Sequence, residues 1–287
     1  MKNKNDLDSR MKDYEKRNRH YLQKRVPVII RLDIRAGHTF LKGFKRPFDE
    51  VFIKSMQETA KYLCENIQNC KLSYQQSDEI TLLLIDYDKL NTDCFFNYRV
   101  DKLCSITASM ATMAFNKALE KNIKEWQEET FSNVEETDEP NGDIDLELYN
   151  LEKAYLKAIN KGAMFDARCF NIPKEEVTNN FYWRQLDASR NSVQMVGQAC
   201  FSDEELKSKK NNEVQDMLML QRGINWNNLP IYQKRGSCCI KVTSIDENPN
   251  PKGDSILERS YWIIDKEIPI FRGKDRAYID DLVYVGE

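Results

Sequence analysis

From Val26 to Leu32 the chain reads Val-Pro-Val-Ile-Ile-Arg-Leu, and it then stops on a carboxylate, Asp33. A run this rich in β-branched residues predicts a largely buried strand ending at Asp33, so the chain must fold around a sheet that begins near its start. From Asp49, an N-cap residue type, Phe52, Ile53, Met56, Ala60, Leu63, Cys64 and Ile67 recur at intervals of three and four, which predicts an amphipathic helix laid on that sheet. Leu72 to Tyr74, the polar turn Gln75-Gln76-Ser77-Asp78 and the run Glu79 to Ile85 then predict a β-hairpin with a carboxylate at its bend. Val100, Leu103, Cys104, Thr107, Ala108, Ala111, Phe115 and Ala118 mark a second helix. Met164 to Ile172 follows as a strand, and Pro173 opens a helix expected to pass Trp183 towards Asn191 or Cys200. Shorter strands are expected at Cys238 to Val242 and Tyr261 to Ile264, and a polar helix near Asp8 to Gln23. Strand, helix, hairpin, helix, strand is the split βαβ order of ferredoxin-like α+β folds, a topology that names no activity by itself.

Several function classes fall away on composition. No run approaches the ~20 apolar residues of a bilayer helix, and the polar start at Met1-Lys2-Asn3-Lys4 lacks the apolar stretch of a signal peptide, so a cytoplasmic address is expected. The eight cysteines include no C-x-x-C pair, and only His20 and His38 accompany them. They read as small buried hydrophobes rather than a zinc cluster or disulfide framework. Two histidines also leave little room for hydrolases built on an imidazole base, so chemistry here is expected to run on carboxylates, basic groups or metal. Eleven acidic residues and no Lys or Arg lie between Glu125 and Glu152, and without them the remaining chain carries a net +8. That pattern suits either a basic body able to bind a polyanion or an ordinary charged surface with one solvated acidic loop, for which disorder is expected.

Asp33 at a strand end and Asp78 with Glu79 at the hairpin bend can meet at one edge of a β-α-β-β sheet. Two carboxylates held together repel unless a cation lies between them, and Mg²⁺ binds through one or two carboxylates plus substrate phosphates. Two such ions would clamp both oxygens of a phosphoryl displacement. The same aspartates would also serve merely to satisfy turn backbone. Arg35, Gly37 and His38 follow Asp33 in a loop, with Arg46 just ahead of Asp49, a setting fit for a triphosphate. Arg99 and Lys102, one helical step apart, present two further cations or a solvated flank.

Taken in order, these residues resemble the tRNA-His guanylyltransferase family and its Thg-like relatives, the reverse (3′ to 5′) polymerases. The resemblance rests on Arg31-Leu32-Asp33-Ile34-Arg35 with His38 and Phe40, set against the family's R-x-D-G-R-x-F-H-x-F. It continues through Arg46-Pro47-Phe48-Asp49, Gln76-Ser77-Asp78-Glu79, Arg99 with Lys102, Phe165-Asp166-Ala167-Arg168, Trp183-Arg184-Gln185 with Asp187, and Leu229-Pro230-Ile231-Tyr232 with Lys234 and Gly236. It implies a polymerase- or cyclase-like palm over residues 26–236, carrying helical and small β additions and the acidic insertion 125–152. A polar lead-in, 1–25, would precede it and a β-containing extension, 237–287, would follow.

By the same resemblance, Asp33, Asp78 and Glu79 would be catalytic, and Asp33, Asp78 and the carbonyl of Ile34 would hold two Mg²⁺ ions. Arg35, Ala36, Gly37, His38, Ser77, Arg46 and Asp49 would bind the nucleotide, while Arg99, Lys102, Arg168 and Asn191 would meet the RNA 5′-phosphate or a second nucleotide. GTP and ATP would be substrates, tRNA the partner, and a homotetramer the assembly. The chain departs from the pattern where the family's Gly is Ile34, a β-branched residue expected to crowd the pocket. It departs again where the eukaryotic H-I-N-N block is Ser189-Arg190-Asn191-Ser192. The sequence therefore looks more like the bacterial, archaeal and phage branch, whose members favour template-dependent repair of tRNA 5′ ends over addition of one G to tRNA-His. A non-catalytic RNA-binding palm is the reading of another class.

Overall fold

β1 (Val28–Ile34) is hydrogen-bonded on both sides, to β3 (Glu79–Leu84) and to β4 (Phe165–Asn171), and the sheet is built outward from it. The computed structural model describes residues 3–131, 144–246 and 257–286. Its sheet runs β4-β1-β3-β2-β5-β6, with β2 at Cys70–Gln76, β5 at Ser237–Asp246 and β6 at Leu257–Asp265, and every neighbouring pair is antiparallel. The helices are α1 (Asn3–Arg17), α2 (Gly37–Phe40), α3 (Glu50–Asn66), α4 (Val100–Phe131), α5 (Ile144–Lys161), α6 (Lys174–Cys200), α7 (Asp203–Leu206), α8 (Asn211–Arg222), α9 (Ile231–Arg235) and α10 (Ala277–Val283). With α3 joining β1 to β2 and α4 leading from β3 to β4, the first four strands have the expected ferredoxin-like order.

Strand alternation assigns the two faces of the sheet. Val28, Ile30, Leu32 and Ile34 point to α3 and α4, where they meet Phe52, Met56, Leu63, Leu103 and Phe115 in one buried cluster. Phe115 is its hub, with edge-on ring contacts to Phe40, Phe52 and Phe165. Each large side chain buried this way stabilises the fold by roughly 1.5–3 kcal/mol. Ile29, Tyr74, Leu83 and Ile85 occupy the other face and are covered by Val177 and Phe181 of α6 and by Ile279 and Val283 of α10. The far half of α6 leaves the sheet and packs through Val193 and Val196 on Val214 and Leu218 of α8.

Where the structure departs from sequence expectation, backbone bonding explains it. β1 runs past Asp33 to Ile34 because the Ile34 amide donates to the Asp78 carbonyl and the Arg35 amide to the Met164 carbonyl. The hairpin bend is only Ser77-Asp78, since Ser77 takes a left-handed conformation (φ 47°) and lets β2 pair through Gln76. The acidic stretch is not one loop: 125–131 are the last turns of α4 and 144–152 the first turns of α5. Its charges find local partners there, Glu125 with Lys54 at 2.6 Å and Glu152 with Gln127 at 2.6 Å, while Trp126 packs edge-on against Tyr155. The expected disorder therefore fails for those turns, and 132–143 lie outside the described residues. α1 ends at Arg17 rather than near Gln23. β5 and β6 are longer than expected and extend the same sheet through β2.

Candidate active site

On the α6 side of the sheet, beyond the apolar cluster, the strands turn polar. Asp33 lies opposite Glu79 on β3 and Asp166 on β4, and Arg31, one step inward on the same face, lies opposite Thr81 and Arg168. These groups share one edge but not one situation. Glu79 is buried, and Arg184 of α6 grips its carboxylate with both prongs, Nε to Oε1 at 2.7 Å and Nη2 to Oε2 at 2.8 Å. Arg184 also reaches Asp187 at 3.0 Å, which in turn pairs with Arg190. Arg168 pairs with Asp166 at 3.2 Å. The Asp33 carboxylate makes no hydrogen bond or ion pair among the described residues.

Asp78 arrives from the bend. Its carboxylate lies so close to Gly37 that a Cβ there would sit 2.0 Å from Oδ2, so any larger residue would have to push the Asp78 carboxylate aside. Burial raises the Asp78 carboxyl above its ordinary value, and its own amide and the Ser77 hydroxyl offset part of that. Asp33 is pushed up to about 6, first by burial, then by repulsion from Asp78, Glu79 and Asp166, with Arg168 opposing. Such a pair is an electrostatic deficit that a bound cation would remove. Among the described residues no three His, Cys, Asp or Glu side chains form a ready cage. That suits an ion held by two carboxylates and completed by substrate phosphates.

The expected nucleotide residues divide. Arg35, Ala36 and His38 are exposed beside buried Gly37, and Ser77 is exposed next to Asp78, so these five gather at the carboxylate edge. Asp49 does not serve there. It is buried as the N-cap of α3, accepting the Phe52 amide on one oxygen and the Lys45 amide and the Tyr155 hydroxyl on the other, at 2.8–2.9 Å. Every lone-pair direction that matters is spent on the fold, and burial raises its carboxyl despite those bonds. Arg46 is exposed on the loop leading to that cap.

Glu79, expected to be catalytic, stands at the edge opposite Asp33 with both oxygens bonded by Arg184. Arg99 and Lys102 are not brought to Asp33. Thr112 of α4 accepts the Phe165 amide at the level of Ile34, and Arg99 precedes it by about 20 Å of helix. There Arg99 instead approaches Asp101 at 2.8 Å. Asn191 is exposed two turns beyond Arg184 on the same stripe of α6. Ile34 does not crowd the carboxylates, since its side chain is buried in the opposite, helix-covered face.

Sequence reasoning left Arg31, Asp166, Arg184 and Asp187 without site roles. The alternation Asp166-x-Arg168 in a strand carried the signal for the first edge neighbour. Nothing local announced that Arg184 would cross from α6 to Glu79.

A ferredoxin-like sheet carrying two carboxylates and a cationic loop at one edge suits transfer of a nucleotidyl group, in which positioning and charge neutralisation do most of the catalysis. The chain is a nucleotidyltransferase of that kind: residues 8–173 match the family model for tRNAHis guanylyltransferase, and the chain belongs to that family. It is 38% identical to a bacterial tRNA(His) guanylyltransferase-like protein solved in complex with ATP, with a TM-score of 0.74 over 98% of this chain and 100% of that one. A structure of such a bacterial protein with GTP gives 36% identity, a TM-score of 0.73 and the same coverage. The tRNA(His) guanylyltransferase of Saccharomyces cerevisiae is 26% identical over 232 residues, covering 76% of this chain and 84% of that protein. No helix among the described residues is long and apolar enough to cross a membrane.

Proposed function

We propose that this chain adds nucleotides to the 5′ end of tRNA in the 3′ to 5′ direction, repairing truncated ends against a template. The observation that carries the reading is the approach of Asp33 and Asp78, both pushed towards protonation, beside a loop that meets the Asp78 carboxylate at Gly37. The RNA 5′-phosphate attacks the α-phosphorus of ATP or GTP and expels pyrophosphate. The 3′-hydroxyl of the incoming nucleoside triphosphate then attacks the activated 5′-phosphorus, expelling AMP or GMP and forming the new phosphodiester. Asp33 and Asp78, with the Ile34 carbonyl, would hold Mg²⁺, and the donors fit because they are all oxygen and carry uncompensated charge. When bound, the metal would neutralise phosphate charge and orient the displacement. Arg35, His38 and the Ser77 hydroxyl bind and orient the triphosphate, and Arg168 offers a guanidinium to the RNA 5′-phosphate. The Glu79–Arg184 pair positions the edge by tying α6 to β3.

Addition of a single G to tRNA-His is the nearer alternative, favoured by the activity named for the yeast relative. A homo-oligomer in the cytoplasm belongs to the same reading, and light scattering measures the first part. The test is incubation with Mg²⁺, ATP, GTP and a 5′-labelled tRNA lacking one templated 5′ nucleotide. Template-matched lengthening is expected, and it disappears in Asp33→Ala and Asp78→Ala. Full activity in either variant overturns the metal assignment. Extension of tRNA-His alone selects the alternative, and tRNA binding without extension selects a binding module.

A further inference from the structure

A second polar concavity lies on the opposite flank of α6 from Arg184. Tyr182 and Ser189 of α6, Arg235 at the end of α9, and Ile270 and Arg272 of the segment before α10 line a groove of about 210 Å³. Neither arginine makes an ion pair among the described residues, and the Nε of Arg235 is buried with no hydrogen-bond partner. No carboxylate lines the groove. Its walls are fixed. Gln185 donates to the Pro269 carbonyl at 2.8 Å and accepts the Phe271 amide at 3.1 Å, holding the Arg272 segment on α6. The Tyr74 hydroxyl donates to the Arg235 carbonyl at 2.6 Å, and Gly236 packs on the Gln75 carbonyl where a Cβ would come within 2.4 Å. Two guanidinium groups held apart from any counter-ion, one with a dehydrated N–H, demand an oxyanion.

The sheet register places this groove relative to the carboxylates. Asp33 pairs with Glu79, Glu79 with Gln76, and the adjoining Gln75 with Ser237, two residues after Arg235. Three strand spacings, about 14 Å, therefore separate Asp33 from the Arg235 side along one edge of the sheet. That is within reach of an RNA strand a few nucleotides from a reacting 5′ end. The groove is also smaller than the ~300 Å³ at which pockets enclosing a whole small molecule begin. It suits a charged group of a longer chain passing over it.

We infer that Arg235 and Arg272 form an RNA-backbone phosphate site on this chain, holding the acceptor strand a few nucleotides from the 5′ end under repair. The inference rests on the proposed tRNA substrate. A free nucleoside triphosphate offers the same phosphate chemistry, so the test separates the two sources.

The full-length Arg235→Gln/Arg272→Gln variant and the single variant Arg272→Ala, at an exposed side chain, are titrated with 5′-truncated tRNA and separately with ATP, across a series of salt concentrations. The double variant is expected to bind tRNA about 10- to 100-fold more weakly, with a salt slope about one to two units shallower and ATP affinity within twofold of wild type. Arg272→Ala, which leaves the buried side of the groove intact, is expected to show about one unit of the same change. Unchanged tRNA affinity and slope in both variants overturn the inference while leaving the catalytic reading standing. An equal loss of ATP affinity overturns it in favour of a free-nucleotide subsite. A wild-type protein that neither binds nor extends tRNA overturns the proposed function itself.

Discussion

The two faces of the β1–β3–β4 sheet solve different problems with the same strands. Towards α3 and α4 every inward side chain of β1 is apolar and buried, and Phe115 closes the packing. Towards α6 the cover is partial: Ile29 is roofed by Phe181, but Arg31 and Asp33 continue the row towards open solvent. One face has its free energy satisfied by the fold, and the other ends in charges that the fold leaves for a ligand. The contrast narrows to a single register pair, in which Glu79 is gripped by Arg184 while the Asp33 carboxylate, opposite it, has no ion-pair partner among the described residues and only the more distant charge of Arg168 to offset its acidic neighbours.

The comparison breaks most visibly if the uncompensated carboxylates prove dispensable. Asp33→Asn and Asp78→Asn are expected to lower nucleotide addition by about 1,000-fold, within the range for losing electrostatic stabilisation of phosphoryl transfer. Because burial and like charges oppose ionisation of Asp33, Asp33→Asn should keep a melting temperature no lower than wild type without divalent metal. A melting temperature well below wild type would mean that the charge serves the fold instead.

The paired carboxylate should behave in the reverse sense. Arg184→Met leaves the buried Glu79 only the longer contact with Arg31 at 3.8 Å and is expected to cost about 3 kcal/mol of stability in denaturant unfolding, with most of that recovered in the double variant Arg184→Met/Glu79→Gln. Additive losses would show that the two groups are not coupled. Smaller still, Asp49→Asn should cost about 1–2 kcal/mol by weakening the cap and the Tyr155 bond, with the KM for nucleoside triphosphate unchanged. A raised KM would return Asp49 to the nucleotide. Gly37→Ala sharpens the picture at the least cost. Displacing the Asp78 carboxylate should lower kcat about tenfold, near 1.4 kcal/mol of barrier, while thermal unfolding moves little.

The same contrast governs what could be read before folding. On the helix-covered face each position is decided by its nearest neighbours and by a period, so β1, α3, α4 and β4 were legible from apolar spacing. Asp33 and Asp78 were legible because a carboxylate at the end of such a run is costly unless used. Asp49 misled because a capping carboxylate and a ligand carboxylate look alike in sequence, and only the Lys45, Phe52 and Tyr155 donors distinguish them. Arg99 and Lys102 were expected as a pair on one helix, but Arg99 has extended backbone just ahead of α4, and the distance of both from the carboxylates depends on where Thr112 meets Phe165. The acidic stretch misled because composition ignores partners such as Lys54. Glu79 with Arg184 joins residues 105 positions apart, a distance over which no local pattern speaks.

β1 emerges early from a ribosome, yet its neighbour β4 is not complete until Asn171, and Arg184, the charge partner of Glu79 on β3, follows later still on α6. At about 5–20 residues per second, roughly seven to twenty-eight seconds of synthesis separate Asp33 from the strand that fixes its second side. During that interval the α3 face can already pack behind the β1–β3–β2 hairpin unit, while the carboxylate edge has only one strand beside it. The nascent chain therefore acquires its core before its chemistry, and a polypeptide released short of α6 would be a folded surface without a working edge.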